Sequence, residues 1–337
     1  MTDTADREEL RRDGAAARGS RIQWSSVLER YGLMVIFAVV FIGFSLRTEH
    51  FGTITNVKII LGTQSVLAMV ALAAIVPLIT GKFDLSVGAI VGTSSIVAAA
   101  VMSRHDGGLA AAVIAALLVG AAIGVVNGIL VGYVGVDSFI ATLAMGTVLQ
   151  GLVQWYSGGA TISGNISETL ISASSGYVWG VPKGFLWMLP AAVGLWYVLT
   201  QTPLGRHMAS IGSNDRAAHL AGIRVKALTL ASFVVGALLA SVAGVLVTGQ
   251  AGSANPETAL GAMLLPAFAA AFLGRSAFTP GKFNVPGTLL AVYFVAFSVS
   301  GFQFLGADSW IQQVFSGCAL AGAVTLSTVL GRRRGRS

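Results

Sequence analysis

The chain has 337 residues, of which 55% are hydrophobic and only 10% charged, and its mean hydropathy is +0.78. A water-soluble domain carries about 25% charged residues, so a globular surface solvated by water over most of the chain is excluded. A single cysteine, Cys318, excludes an intrachain disulfide and any cysteine-based zinc or iron–sulfur site.

In chain order, residues 1–30 balance six basic against six acidic residues and read as a solvated, cytoplasmic N-terminal tail. The apolar run Tyr31–Leu46 starts late and runs into Arg47-Thr48-Glu49-His50 without a small-residue cleavage site, so it reads as a retained span rather than a secretory signal. Since a bilayer core needs about 17–25 apolar residues per helix, further spans are predicted at 59–80, 86–103, 109–133, 138–156, 185–201, 227–248, 263–274, 285–305 and 310–331. That makes about ten helices, or eight or nine if the short spans do not cross, in one all-α integral-membrane domain over 31–331. The spans at 31–46 and 263–274 are short, and Pro266 interrupts the second.

Gly120, Gly124, Gly128 and Gly132 recur every four residues and share one helix face; Ser232, Gly236, Ala240 and Gly244 repeat the pattern. Such strips let helix backbones approach closely, and helix packing is their expected use. The high count of 42 glycines fits closely packed membrane helices rather than a flexible linker.

Charge placement sets orientation. The loop 157–184 holds only Glu168 and Lys183 and is predicted to face outward. The loop 202–226 carries Arg206, Arg216, Arg224 and Lys226 against Asp215, and the tail 332–337 carries Arg332, Arg333, Arg334 and Arg336 with no acid. Lys and Arg accumulate on the cytoplasmic side, and an even number of spans puts both termini there. The net charge of +7 is therefore a topology signal. Without a basic stripe on a soluble domain, a nucleic-acid partner is not expected.

Asp84, Asp137, Glu257 and Asp308 fall at span borders or in loops. A proton-coupled carrier needs a carboxylate near the midplane, so this placement argues against one. Among the uncharged polar residues within spans, Gln64, Asn127, Gln150 and Gln154 are singled out. Each either hydrogen-bonds a neighbouring helix or lines a substrate path, and Gln64, Asn127, Gln150 and the border residue Asp84 are the candidates for a path or gate. No G-x-x-x-x-G-K-[ST] phosphate loop, metal-spaced histidine pair or nucleophile elbow occurs, and Gly81-Lys82 and Gly281-Lys282 are each followed by Phe. No catalytic residue, metal site or cofactor is expected in this chain.

The most informative stretch is 202–226. Asn214 can cap a helix, Asp215 suits its positive start, and Gly222 stops it. The composition alone allows two readings: a docking knob for a soluble partner, or an ordinary basic loop. The pattern Thr202-x-x-Gly205-Arg206, Ile211-Gly212-x-Asn214, Ala217-Ala218, Gly222-Ile223 resembles the interior loop of permease subunits of ribose-, xylose- and arabinose-type ABC importers. Gly81-Lys82-Phe83-Asp84-Leu85-Ser86-Val87-Gly88 resembles that family's G-G-I-D-L-S-V-G, and Asp137-Ser138-Phe139-Ile140-Ala141-Thr142-Leu143 its P-x-F-I-x-T-L. Lys82-Phe83 in place of Gly-Ile, and Asp137-Ser138 where the pattern begins with proline, suggest a divergent branch. The Gly-Lys-Phe-Asp of 81–84 and Gly-Lys-Phe-Asn of 281–284 hint at an internal duplication.

The resemblance implies the ten-helix type II importer fold shared with cobalamin importers, a homodimer or heterodimer of permeases in the inner membrane, and two cytoplasmic ATP-binding subunits docked on 202–226. It also implies a periplasmic sugar-binding protein that selects the cargo, a monosaccharide or polyol. Gly205, Arg206, Asn214, Ala217, Ala218, Gly222 and Ile223 would then couple the permease to the ATPase. A different reading is an ion-coupled carrier or channel that needs no ATPase; a membrane scaffold without flux is a third.

Overall fold

Helix forms within every one of the ten apolar segments of the computed structural model, which describes residues 30–260, 262–308 and 310–334. The N-terminal head lies outside these residues apart from Arg30, as do the last three residues of the basic tail.

The helices are α1 (Arg30–Arg47), α2 (Ile54–Thr63), α3 (Ser65–Ile79), α4 (Val87–Ser103), α5 (Leu109–Ile129), α6 (Ser138–Ser157), α7 (Glu168–Ser175), α8 (Lys183–Gln201), α9 (Pro203–Ser213), α10 (Asp215–Leu220), α11 (Val225–Ala251), α12 (Leu264–Gly274), α13 (Val285–Phe304) and α14 (Trp310–Arg334). A π-helical turn, Leu130–Val134, extends α5. Four two-residue strands form two small antiparallel pairs: β1 (Ile162–Ser163) with β4 (Ser253–Ala254), and β2 (Tyr177–Val178) with β3 (Val181–Pro182).

By length and composition six described helices can cross a bilayer: α1, α5 with its π turn, α6, α8, α11 and α13. The predicted span 59–80 is instead two helices, α2 and α3, bent by 44° at Gln64, which count as a seventh span if taken together. Two more predicted spans, α4 and α12, are apolar but short, with 17 and 11 residues.

Burial is inverted relative to a soluble protein. Val35, Ile36, Val39 and Leu46 on α1, Leu118 on α5, Ile140, Leu152 and Trp155 on α6 and Val193 on α8 are all exposed. An apolar exterior of this extent is at home in lipid, where each helix satisfies its own backbone.

At the centre stands α11. The glycine strip of α5 lies along one face: a Cβ on Gly124 would come within 2.8 Å of Ala237 and Val234, and one on Gly128 within 2.8 Å of Leu230. On the other face Gly236 lies against the backbone of Ala73 in α3. Gly244 does the same against Val91 and Ser95 in α4. Buried hydroxyls pin α4 to α11, with Ser94 Oγ donating to Ser241 Oγ at 3.0 Å and Ser95 sharing a hydrogen bond with Thr248 at 2.8 Å. The expected packing role of both small-residue strips is thus what the structure contains.

Candidate functional site

The loop 202–226 folds as two helices where one was expected. Thr202 precedes Pro203 at the first helical position, where proline's missing N–H costs nothing, and α9 runs from there to Ser213. Its buried side, Gly205, Met208 and Ile211, faces the bundle, while Arg206 and His207 stay exposed. A Cβ on Gly205 would overlap the Leu199 backbone, so α9 can fold back this tightly on α8 only with glycine there.

The second helix, α10, follows the sequence signals. The Asn214 side-chain oxygen accepts from the Ala217 N–H at 3.0 Å. At the other end Gly222 takes a left-handed φ of +81°; its N–H donates to His219 O at 3.0 Å, and the Ile223 N–H donates to Ala218 O at 3.1 Å. These paired bonds are the glycine-terminated helix stop described for Schellman motifs. Ala218 is buried; Ala217 points outward.

The rod is seated on the transmembrane bundle. A Cβ on Gly212 would overlap the carbonyl oxygen of Ile79, the last residue of α3, and would lie 3.2 Å from the Gly81 nitrogen. Gly81 itself has φ +75°, open to glycine but strained for other residues. Beside this contact Lys82 Nζ lies 4.0 Å from Asp215 Oδ2, with both side chains partly exposed. An ion pair of that kind contributes at most about 1 kcal/mol, so it orients α10 more than it stabilises it. Flanking α9 is a groove of about 720 Å³ whose wall includes Arg206, Arg275 and Lys282 and, among the described residues, no acid.

The segment 81–88 is held from three sides. The Phe83 N–H donates to Ser138 Oγ at 3.1 Å and the Leu85 N–H to Thr142 Oγ1 at 2.9 Å, tying it to the start of α6. Phe83 stacks on Phe268 and Phe272 of α12 at 6.1 and 6.3 Å. Asp84 is buried: its Oδ1 accepts from the Ser86 N–H at 3.0 Å and from Ser86 Oγ at 2.5 Å, and Ser86 Oγ accepts from Asn127 Nδ2 at 2.8 Å. Burial pushes the Asp84 carboxyl up to about 6, against the lowering effect of the Ser86 hydrogen bonds. The three side chains tie the start of α4 to α5, and Asn127 Oδ1 is buried without a partner among the described residues.

The candidates for a path or gate therefore divide. Asp84 and Asn127 belong to one buried hydrogen-bonded chain next to the rod. Gln64 sits at the α2–α3 break, at the far end of α3, whose 15 residues span roughly 22 Å at 1.5 Å each. Gln150, half-buried on α6, joins neither group. Sequence reasoning passed over Gly212 as a functional position although it lies in the quoted Ile211-Gly212-x-Asn214 pattern. It also passed over Arg275 and Lys282, whose approach to α9 depends on the tertiary fold. The departures Lys82 and Phe83 have physical roles here, one facing Asp215 and the other stacking on α12. Phe283, at the equivalent place in the second Gly-Lys-Phe, also packs against Phe272, at 5.3 Å, and Gly281 shares the left-handed conformation of Gly81.

A many-helix, lipid-facing bundle with glycine-packed helices and a capped, charged rod projecting from one end defines a multi-pass membrane permease. Residues 56–324 match the family described as branched-chain amino acid transport system / permease component, and the chain belongs to it. It is 33% identical to the ribose import permease protein of Escherichia coli (strain K12) over 87% of this chain and 90% of that one. To the D-allose transport system permease protein of the same organism it is 30% identical, over 90% and 93% of the two chains. To the L-arabinose ABC transporter permease protein of Azospirillum brasilense it is 28% identical, over 92% and 90%. No solved structure matches the chain.

Proposed function

We propose that the chain is the membrane-spanning subunit of an ATP-binding-cassette importer that carries a monosaccharide or related polyol across the inner (cytoplasmic) membrane. The observation that carries this reading is the α9–α10 rod, exposed on its outer side and seated through Gly212 on the base of α3. A chain whose sequence has no G-x-x-x-x-G-K-[ST] phosphate loop draws its energy, in this reading, through contacts with a partner, and a partner shifts a conformational equilibrium only by binding its two states differently. A rod seated directly on a transmembrane helix supplies such a contact. The curated relatives support the cargo class, since the three named above are permeases for ribose, D-allose and L-arabinose.

In this reading two permease copies, identical or different, pair in the lipid bilayer. Two cytoplasmic subunits bind the ATP and dock on 202–226, and a periplasmic binding protein delivers the sugar. Arg206, beside Arg275 and Lys282, attracts acidic side chains of the ATPase. Asn214, Gly222 and Ile223 fix the ends of α10, the exposed Ala217 allows a partner surface to approach, the buried Ala218 packs the inner side of α10, and Gly205 holds α9 close to α8. Asp84 fixes the start of α4 beside the rod. Both termini are cytoplasmic, on the side of the Arg206–Lys226 loop. The test is co-expression of the chain with its ATP-binding and binding-protein partners. Uptake of labelled sugar should require all three and stop when the ATPase cannot hydrolyse ATP; uptake driven by an ion gradient through the chain alone would contradict the reading.

A further inference from the structure

Far from the rod, a cavity of about 300 Å³ opens between α2, α3, α12, α13 and α14. Its wall carries the hydrogen-bonding side chains Asn56, Thr63, Gln64, Gln303 and Gln312 and, among the described residues, no charged one. The amides of Gln64, Gln303 and Gln312 have no side-chain partner among the described residues. Asn56 Nδ2 donates to Phe51 O at 2.8 Å and Thr63 Oγ1 to Ile59 O at 2.9 Å, which leaves each with an oxygen free to accept.

Asn56 and Gln64 are half-buried and Thr63, Gln303 and Gln312 exposed, so these polar groups are open to a ligand that enters the cavity. They call for a ligand that donates and accepts at several points, which is what a set of neighbouring hydroxyls does. A zwitterion such as an amino acid would instead need a counter-charge for its ammonium group, and none lines the wall. The volume stands at the small end of the roughly 300–1,000 Å³ typical of ligand sites, enough for a monosaccharide and too little for an oligosaccharide.

A broken helix pair and a short helix converge on the same place. The α2–α3 pair breaks at Gln64, and the short α12 places Pro266, its third residue, in the wall. Broken helices around a polar cavity are the usual construction of a cargo site inside a membrane. From this break α3 runs without interruption to Ile79, against which Gly212 of the rod is seated, so one helix joins the cavity to the rod.

We propose that this cavity is a cargo subsite within the permease chain itself, selective for a neutral polyhydroxylated molecule of monosaccharide size. The proposal rests on the importer reading above and adds to it where the chain holds its cargo and why that cargo is uncharged. The experiment is cysteine protection in membrane vesicles containing the assembled importer. In a Cys318→Ser background, Thr63→Cys, Gln303→Cys and, on the apolar wall, Val299→Cys are labelled by a small methanethiosulfonate. Labelling is timed with and without D-ribose, D-allose, L-arabinose, myo-inositol or L-leucine, and uptake of each compound is measured in parallel.

At least one neutral polyol should slow labelling of all three cysteines by about fivefold, as roughly 80% occupancy requires by mass action. It should leave Ser213→Cys in the basic groove unaffected, and L-leucine should protect none of them. ATP-driven uptake of one of these sugars without protection would overturn the subsite and leave the importer reading standing. Protection by L-leucine would overturn the ligand class. Neither uptake nor protection with any neutral compound would overturn both.

Discussion

Replacing Gly212 by alanine tests whether the seat of the rod transmits force or merely fills space. The added methyl would overlap the Ile79 carbonyl oxygen and stand 3.2 Å from the Gly81 nitrogen, so α9 must retreat from the end of α3. Overpacking of this kind costs about 1–3 kcal/mol, while alanine gains about 1 kcal/mol over glycine inside a helix. The net strain of roughly 0–2 kcal/mol is too small to prevent assembly of a large bundle. It acts where Lys82 and Asp215 face each other at 4.0 Å. About 1.4 kcal/mol expressed at the docking surface corresponds to a tenfold loss. The variant should therefore reach the membrane in normal amount, keep its permease partner, and show ATP-driven sugar uptake reduced about tenfold. Immunoblotting of membranes beside initial-rate uptake reads both quantities. Normal uptake at normal abundance would refute the argument, and so would a loss of abundance that accounts for the whole defect.

Other outcomes follow from the same contacts. Arg206→Glu reverses charge on an exposed face, so the permease should assemble normally while ATP hydrolysis no longer drives uptake; unchanged uptake would remove Arg206 from the coupling set. Gly124→Val drives a side chain into Ala237 and Val234 and should sharply lower the amount of folded chain, whereas Gly151→Val on α6, where a Cβ meets nothing within 4 Å, should not; fluorescence-detected size exclusion distinguishes them. Asp84 binds its proton more tightly folded than unfolded, its carboxyl moving from 3.8 to about 6. Its contribution is therefore most favourable at low pH and is lost as pH rises through about 4 to 6, on the order of 3 kcal/mol in all. The melting temperature of Asp84→Asn should gain on the native chain across that window and then hold a constant lead; parallel curves would contradict the assignment.

Much of the fold was legible because hydropathy is a sum over a window, and each of the ten apolar windows does hold helix. The same averaging hides a bend: the window 59–80 reads straight through Gln64, where the helix breaks. It also hides helices that are short and polar outside, which is why α9 went unread despite Thr202-Pro203 at its start. The stop of α10 was readable to the residue because Gly222 and Ile223 use local backbone geometry. The burial of Asp84 was not, since it comes from α5 and α6 closing over a segment that in sequence looks like a span border. The glycine strips showed that close packing occurs but not with what, because the choice of α11 as common partner is made in three dimensions. The cavity at the α2–α3 break brings together Gln64, Gln303 and Gln312 from distant parts of the chain, and only Gln64 stood out beforehand.

The central claim places the α9–α10 rod on the cytoplasmic face. In a Cys318→Ser background, a cysteine replacing the exposed Ala217 is treated with a membrane-impermeant maleimide in spheroplasts and in inside-out vesicles. A second cysteine replaces Trp179, which is 100% exposed at the tip of the β2–β3 turn in the loop expected outside. The account predicts that Ala217→Cys is labelled only in inside-out vesicles and Trp179→Cys only in spheroplasts. Labelling of Ala217→Cys in intact spheroplasts would contradict it.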